Sequence, residues 1–315
     1  MSFASEVKEE VIRLDLNENQ RKARLSAVIQ LLASVSISSS GLSINFKTSS
    51  ASLIKMVSMD IKEIYQCKSE ITVEKQTNLN KRNLYGLSIV EKTKEILNDL
   101  DLWTDKGIQE HPRLMFLKND DMIRAYLAGC FIACGSINSP RTTDYHLEIK
   151  ANSVSFGQFL IKLLEKFYIT AKLSHRRNTD FIYVKSSEKI ADFLKLIGAN
   201  EAIIQFEDIR IQRDYVNNLY RLDNIEIANA QKSQEVADKQ IEAVEYLLGK
   251  DLLKYLSDKD REIALLRLKN PDASLKELAQ LYEDEGGDSL SKSGIRHRFE
   301  KIFALKEKYQ KEKEQ

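Results

Sequence analysis

Proline and glycine are scarce, 3 and 11 among 315 residues. So few breakers leave little room for long irregular connections, and most of the chain is expected in regular elements joined by short loops. Cysteine is scarcer for the chain's length. Cys67, Cys130 and Cys134 sit in apolar settings and are too few for a disulfide framework, which fits a reducing cytoplasm. They form no CxxC pair and have no His at ligand spacing, so neither a metal site nor a cofactor is expected. No apolar run approaches a membrane span, and the opening MSFASEVKEEVIRL carries charges where a signal peptide needs an apolar stretch. Excess charge of one sign is also missing: the net is +1, so any nucleic-acid surface must be a local patch. What is present is a globular profile, 43% hydrophobic with 12 Phe and 12 Tyr, in a chain long enough for two domains.

The main internal signal is a repeat. LSAVIQLLASVSI begins at Leu25, and LAGCFIACGSIN begins about 100 residues later at Leu127. In each copy a small pair (Ser26-Ala27, Ala128-Gly129) is followed two helical turns on by another (Ala33-Ser34, Gly135-Ser136), which predicts one small-residue helix face per copy. Both copies continue with a strand (LSINFKT, HLEIKA), an amphipathic helix (SASLIKMVSMDIKEIY, SFGQFLIKLLEKFYI), two more strands (ITVEKQ and YGLSIV; AKLSHRR and FIYVKS) and a closing helix. The fold class is therefore α+β, a duplication with a pair of sheets. Small faces let helices approach closely, so the two motif helices are expected to pack together. The alternative is that each is an apolar core helix that happens to contain alanines.

Letter by letter, Leu127 to Gly135 resembles a LAGLIDADG motif with Ile132 and Cys134 at the acidic positions. The duplication is similar to the LAGLIDADG homing endonuclease fold. That resemblance implies a catalytic carboxylate at the eighth letter, which here is Leu32 in the first copy and Cys134 in the second. Neither supplies the hard oxygen ligand that Mg²⁺ needs. Asp120 and Asp121 lie at the far end of the second helix, roughly 20 Å away, and read as helix N-terminal acids. Cleavage by two metals needs clustered carboxylates, so no catalytic residue and no metal ligand is assigned. Cys130 and Cys134 share a helix face and are read as space-filling thiols.

The first domain is placed at 1–222, with repeats of about 1–105 and 115–222, and a second at 223–315. From about Ala228 the sequence reads as a long connecting helix. A helical segment follows, in which Ser257 with Asp260 and Ser274 with Glu277 are expected capping boxes. Leu275, Leu278, Ala279 and Leu281 make one apolar face. In the last helix, beginning near Ser291, Ile295, Phe299, Ile302 and Tyr309 face a core while Lys292, Arg296 and Arg298 project elsewhere. A short helix, a loop and a longer helix with basic N-terminal residues is the layout of a helix-turn-helix, whose recognition helix enters the major groove. The same pattern fits a plain three-helix bundle with a solvated charged face, and EDEGGD is long and acidic for the turn.

MSFASEVKEE, YHLEIKA, IADFLKLIGA, and above all NPDASLKELAQL followed by LSKSGIRHRFEKI, resemble the WhiA family of bacterial regulators over nearly the whole chain. The resemblance implies a catalytically inactive LAGLIDADG-like domain followed by a small all-α helix-turn-helix domain. It also implies a DNA-binding transcriptional regulator linked to cell division, chromosome segregation and, in sporulating relatives, sporulation. The partner is then double-stranded DNA in a cytoplasmic, nucleoid-associated setting, without a membrane and with room for a transcriptional co-regulator or division protein. DNA contacts are assigned to Ser291, Lys292, Ser293, Arg296, His297, Arg298 and Lys301, with secondary contacts at Lys81, Arg82, Arg176 and Arg177. The rival readings are an active metal-dependent endonuclease and an adaptor of the division machinery that binds no DNA.

Overall fold

The computed structural model describes residues 2–38, 41–75, 83–105 and 107–311. It divides into two compact units, Met1–Arg213 and Asp214–Gln315. The N-terminal unit holds α1 (Phe3–Ile12) and then two copies of one motif. The first copy runs α2 (Glu18–Leu32), β1 (Ala33–Ser38), β2 (Gly41–Thr48), α3 (Ala51–Tyr65), β3 (Glu70–Glu74), β4 (Leu84–Ile89), α4 (Thr93–Asp99). A two-stranded ribbon, β5 (Trp103–Thr104) and β6 (Gly107–Ile108), intervenes. The second copy runs α5 (Asp120–Cys134), β7 (Gly135–Ile137), β8 (Leu147–Ala151), α6 (Val154–Glu165), β9 (Lys172–Arg176), β10 (Thr179–Val184), α7 (Ser187–Leu196). The sheets have the orders β1-β2-β4-β3 and β7-β8-β10-β9, so the duplication holds down to strand order.

Two expectations about the repeated motif need correction. Ala33-Ser34 and Gly135-Ser136 do not extend the helix face; they open β1 and β7. The helix caps Ala33 (φ −83°, ψ 147°) and Gly135 (φ −75°, ψ 151°) have already turned extended, so the periodicity of 3.6 stops one residue earlier in each copy. Phe167, expected on α6, lies beyond its end at Glu165 but still packs partly buried against the core.

The motif helices meet as the small residues suggested. A Cβ on Gly129 would lie 2.5 Å from the Arg24 carbonyl oxygen and 2.9 Å from the Ala27 Cβ, which only direct backbone contact between α2 and α5 produces. The Tyr126 hydroxyl, fully buried, donates to Gln30 Oε1 at 2.9 Å, and the buried Ser26 hydroxyl donates to the Leu100 carbonyl at 2.9 Å. The clash at Gly129 is with backbone and cannot be relieved by a rotamer change. Gly129→Ala is therefore expected to cost about 1–3 kcal/mol of stability, read from urea unfolding; a variant as stable as the parent would show the helices free to slide apart.

Helix α3 packs on β2 and β4, and α6 on β8, β9 and β10. Ile44, Phe46, Leu87 and Ile89 point to the helical side of the first sheet, and Ile149, Ile182 and Val184 to that of the second. By the period of two along a strand, the alternate residues form an uncovered face on each sheet.

The long helix, α8, spans Asn200–Gly249 and begins well before the expected Ala228, because neither Pro nor Gly interrupts the sequence between its ends. Its start is capped from α1: the Glu10 carboxylate accepts from the backbone N–H groups of Glu201 (2.7 Å) and Ala202 (3.0 Å). The C-terminal unit adds α9 (Asp258–Lys269), α10 (Leu275–Asp284) and α11 (Lys292–Lys311). Its core joins Ala243, Val244 and Leu247 of α8 to Ile263, Leu278, Tyr282, Ile295, Phe299 and Ile302. No helix among the described residues is long and apolar enough to cross a membrane.

Candidate nucleic-acid interface

Helix α10 starts on a reciprocal capping box: Ser274 Oγ accepts from the Glu277 N–H at 3.2 Å, and Glu277 Oε2 from the Ser274 N–H at 2.7 Å. The expected box at Ser257 and Asp260 is different. The Ser257 hydroxyl accepts the Asp260 N–H at 3.3 Å, but the Asp260 carboxylate does not return to the Ser257 backbone. It accepts instead from the Ser257 hydroxyl at 2.6 Å and from Arg298 Nη1 at 2.8 Å. Asp260 is 4% exposed, so these bonds replace the water it has lost.

Arg267, which no local pattern singled out, is 1% exposed at the centre of the unit. Its Nε donates to Gln240 Oε1 of α8 at 3.0 Å, and its Nη1 to the carbonyls of Asn270, Pro271 and Ala273. One guanidinium thus ties α8 and α9 to the turn that introduces α10. Its signal lies in a partner 27 positions away, which periodicity does not show.

Seven residues separate Asp284 from Lys292, a turn closed by Gly286 in the left-handed region (φ 92°). Ser291 then caps α11: its hydroxyl accepts from the Gly294 N–H at 3.2 Å and shares a hydrogen bond of 2.8 Å with Ser293. With Ile295, Phe299 and Ile302 turned to the core, Ser291, Lys292, Ser293, Arg296, His297 and Lys301 are all exposed. Arg296 and His297 share Glu300, at 3.5 and 3.2 Å. Lys292 and Lys301 make no ion pair among the described residues. Arg298 stands apart from this set, half-buried and held by Asp260. Tyr309 is partly buried and stacks on Tyr255 at 5.8 Å.

In the N-terminal unit, Arg176 ends β9, 5.3 Å from the Phe181 ring centroid and 3.8 Å from Glu148. Arg177 occupies the tip of the β9–β10 hairpin, where it and Asn178 both have positive φ (49° and 62°), as a two-residue turn requires. Lys81 and Arg82 lie outside the described residues. Leu32 and Cys134, the eighth letters of the two motif copies, end α2 and α5. Burial pushes the Cys130 thiol well up and the Cys134 thiol up, the latter despite Lys8 and Lys150, so both are held as neutral thiols. Asn119 caps α5 by accepting from the Met122 N–H at 2.9 Å, with Asp120 and Asp121 in the first turn at the opposite end from Cys134.

Three family models match in sequence order: the WhiA N-terminal LAGLIDADG-like domain over residues 18–103, the WhiA LAGLIDADG-like domain over 123–216 and the WhiA C-terminal HTH domain over 219–306. A relative from Latilactobacillus sakei subsp. sakei, named "Probable cell division protein WhiA", is 40% identical over 98% of both chains. One of the same name from Staphylococcus aureus is 38% identical over 98% of this chain and 97% of its own. The crystal structure of full-length DUF199/WhiA from Thermatoga maritima superposes with a TM-score of 0.60 at 24% identity, covering 98% of this chain and 99% of that one, a likeness of fold. On the adjoining family models and the near full-length relatives, this chain belongs to the WhiA family.

Proposed function

We propose that the protein is a DNA-binding regulator of cell division and chromosome segregation, associated with the nucleoid, that reads duplex DNA through α11 and does not cut it. The observation that carries this reading is the set of exposed donors on the first turns of α11. Ser291, Lys292, Ser293 and Arg296 stand where a recognition helix meets base edges and phosphates, while the opposite face of the helix is locked into the core. His297 and Lys301 extend that exposed set, and Arg298 acts by positioning the helix through Asp260. Arg176 and Arg177 add backbone contacts from the sheet domain. The division role is supported by the names of the relatives.

Binding without cleavage is supported by residue chemistry. Leu32 has no ligand atom, Cys134 is a protonated thiol, and no group of three or more His, Cys, Asp or Glu side chains among the described residues is arranged to hold a metal ion. A transcriptional co-regulator or division protein remains a natural partner for surfaces that DNA leaves uncovered.

The test is retention of sheared genomic duplex by the full chain across a salt series, with the retained fragments sequenced. Lys292→Ala with Arg296→Ala is expected to weaken binding by at least about thirtyfold, taking roughly 1 kcal/mol, the lower end for a base contact, at each position. The slope of log affinity against log salt should flatten with it as counterion release is lost. Unchanged enrichment and slope in the double variant would remove α11 from DNA recognition. Strand scission with Mg²⁺ by the parent chain would refute the non-nuclease part.

A further inference from the structure

The two sheets of the N-terminal unit have the same strand order and register, so their uncovered faces can be compared position by position. Ala33 pairs with Phe46 as Gly135 pairs with Ile149, which sets the equivalence. The next row on the uncovered face of the first sheet is Ser34, Asn45, Ser88, Glu70. In the second sheet it is Ser136, Glu148, Tyr183, Lys172. One row further on, Lys47, Gly86 and Thr72 correspond to Lys150, Phe181 and Ser174, and Glu74 corresponds to Arg176.

The two faces have diverged toward aromatic and basic residues at four positions, while Asn45 is replaced by Glu148. On the first, the polar side chains satisfy one another: Asn45 Nδ2 donates to Ser43 Oγ at 3.0 Å, the Ser88 hydroxyl donates to Asn45 Oδ1 at 2.9 Å, and Lys47 pairs with Glu74 at 3.1 Å. On the second, a serine and a glycine are replaced by tyrosine and phenylalanine, and two glutamates by lysine and arginine. The cations gather round the rings. Arg176 lies 5.3 Å from the Phe181 centroid and Lys185 lies 5.5 Å from that of Tyr183, while the His146 ring stacks on Tyr183 at 5.8 Å and 23°; Glu148 is the one acid of the row, 3.2 Å from His146 and 3.8 Å from Arg176.

Neighbouring aromatic rings on a solvent-facing sheet, flanked by cations, are what an unstacked nucleic-acid strand needs. The π-faces and guanidinium planes accept bases in sequence-tolerant stacking, and the cations follow the phosphates. A closed duplex offers no free base face to such rings. We infer that the uncovered face of β8, β9 and β10 binds single-stranded nucleic acid, with bases on Phe181 and Tyr183 and the backbone along Lys150, Lys172, Arg176 and Lys185, and that the equivalent face of the first sheet does not. This goes beyond the duplex reading and shares only Arg176 with it.

The experiment is fluorescence anisotropy of the full chain with an oligothymidylate of about 20 nucleotides, an abasic strand of equal length and a duplex of equal length. Oligothymidylate should bind at least about tenfold more tightly than the abasic strand, and Phe181→Ala with Tyr183→Ala should remove that advantage. Lys172→Glu with Arg176→Glu, on an exposed edge strand and copying the first sheet's acids, should weaken strand binding even if the aromatic variant proves unstable. Lys292→Ala with Arg296→Ala should leave oligothymidylate binding intact while weakening the duplex. Equal binding of abasic strand and oligothymidylate overturns the inference. So does strand binding that survives the Lys172 and Arg176 replacements, or that is lost with Lys292 and Arg296. Loss of duplex binding alone bears on α11 and not on this face.

Discussion

Arg24→Met is expected to destabilise the N-terminal unit by about 3 kcal/mol, the lower end for removing one partner of a buried ion pair. Arg24 Nη2 meets Asp60 Oδ2 at 3.0 Å, with both side chains about 5% exposed or less, and the Arg24 Nε has no hydrogen-bond partner. A shape-matched apolar side chain would relieve that stranded donor but leave Asp60 charged and dry. Arg21, 3.7 Å from Asp60 and partly exposed, compensates only in part. The loss depends on pH in a defined direction. Burial pushes the Asp60 carboxyl up even with Arg24 lowering it, and losing Arg24 moves it higher. A raised native pKa means that the folded state holds the proton more tightly. The associated stability is therefore present below the unfolded value of about 3.9 and lost as pH rises through the folded one. The deficit of Arg24→Met should accordingly be largest near neutrality and shrink in mild acid. Urea unfolding of parent and variant across that range measures it; a deficit independent of pH would mean that Asp60 is not left charged.

Arg298→Ala is expected to cost the C-terminal unit about 3 kcal/mol and to weaken DNA binding without making or breaking a phosphate contact. Burial alone would raise the Asp260 carboxyl, but the hydrogen bonds from Ser257 and Arg298 and the charge of Arg298 outweigh it and hold the group below its usual range. A depressed carboxylate contributes stability above its unfolded pKa, and that contribution disappears as pH falls through the folded value. The gap between parent and variant should thus be full at neutral pH and close below about pH 4. The DNA readout distinguishes the two kinds of arginine on α11. Arg298→Ala should lower affinity with an unchanged salt slope, because α11 is displaced while its exposed cations remain, whereas Lys292→Ala is expected to flatten the slope. A flattened slope for Arg298→Ala would instead make it a phosphate ligand.

Several features of the candidate site were legible in the sequence because their causes are local. Ser274 and Glu277 announce the start of α10 three residues apart, and Ile295, Phe299 and Ile302 mark the buried side of α11. By subtraction they identify Lys292 and Arg296 as outward. Arg298 looks the same at this level. Its partner, Asp260, is 38 residues earlier, so no window of sequence distinguishes an arginine paired with a buried carboxylate from one that faces solvent. Arg267 was missed for the same reason.

The duplication, the motif helices and the absence of a carboxylate at Leu32 and Cys134 were determined by the sequence alone, because helical spacing and residue chemistry are properties of neighbouring letters. Tertiary structure decided the rest. It turned Ala33 and Gly135 into the first residues of strands and brought Gly129 against the backbone of Arg24. It also put Glu70 and Lys172, or Gly86 and Phe181, at equivalent places on two sheets. Pairing register sets those equivalences, and register is fixed by packing between segments far apart in the chain.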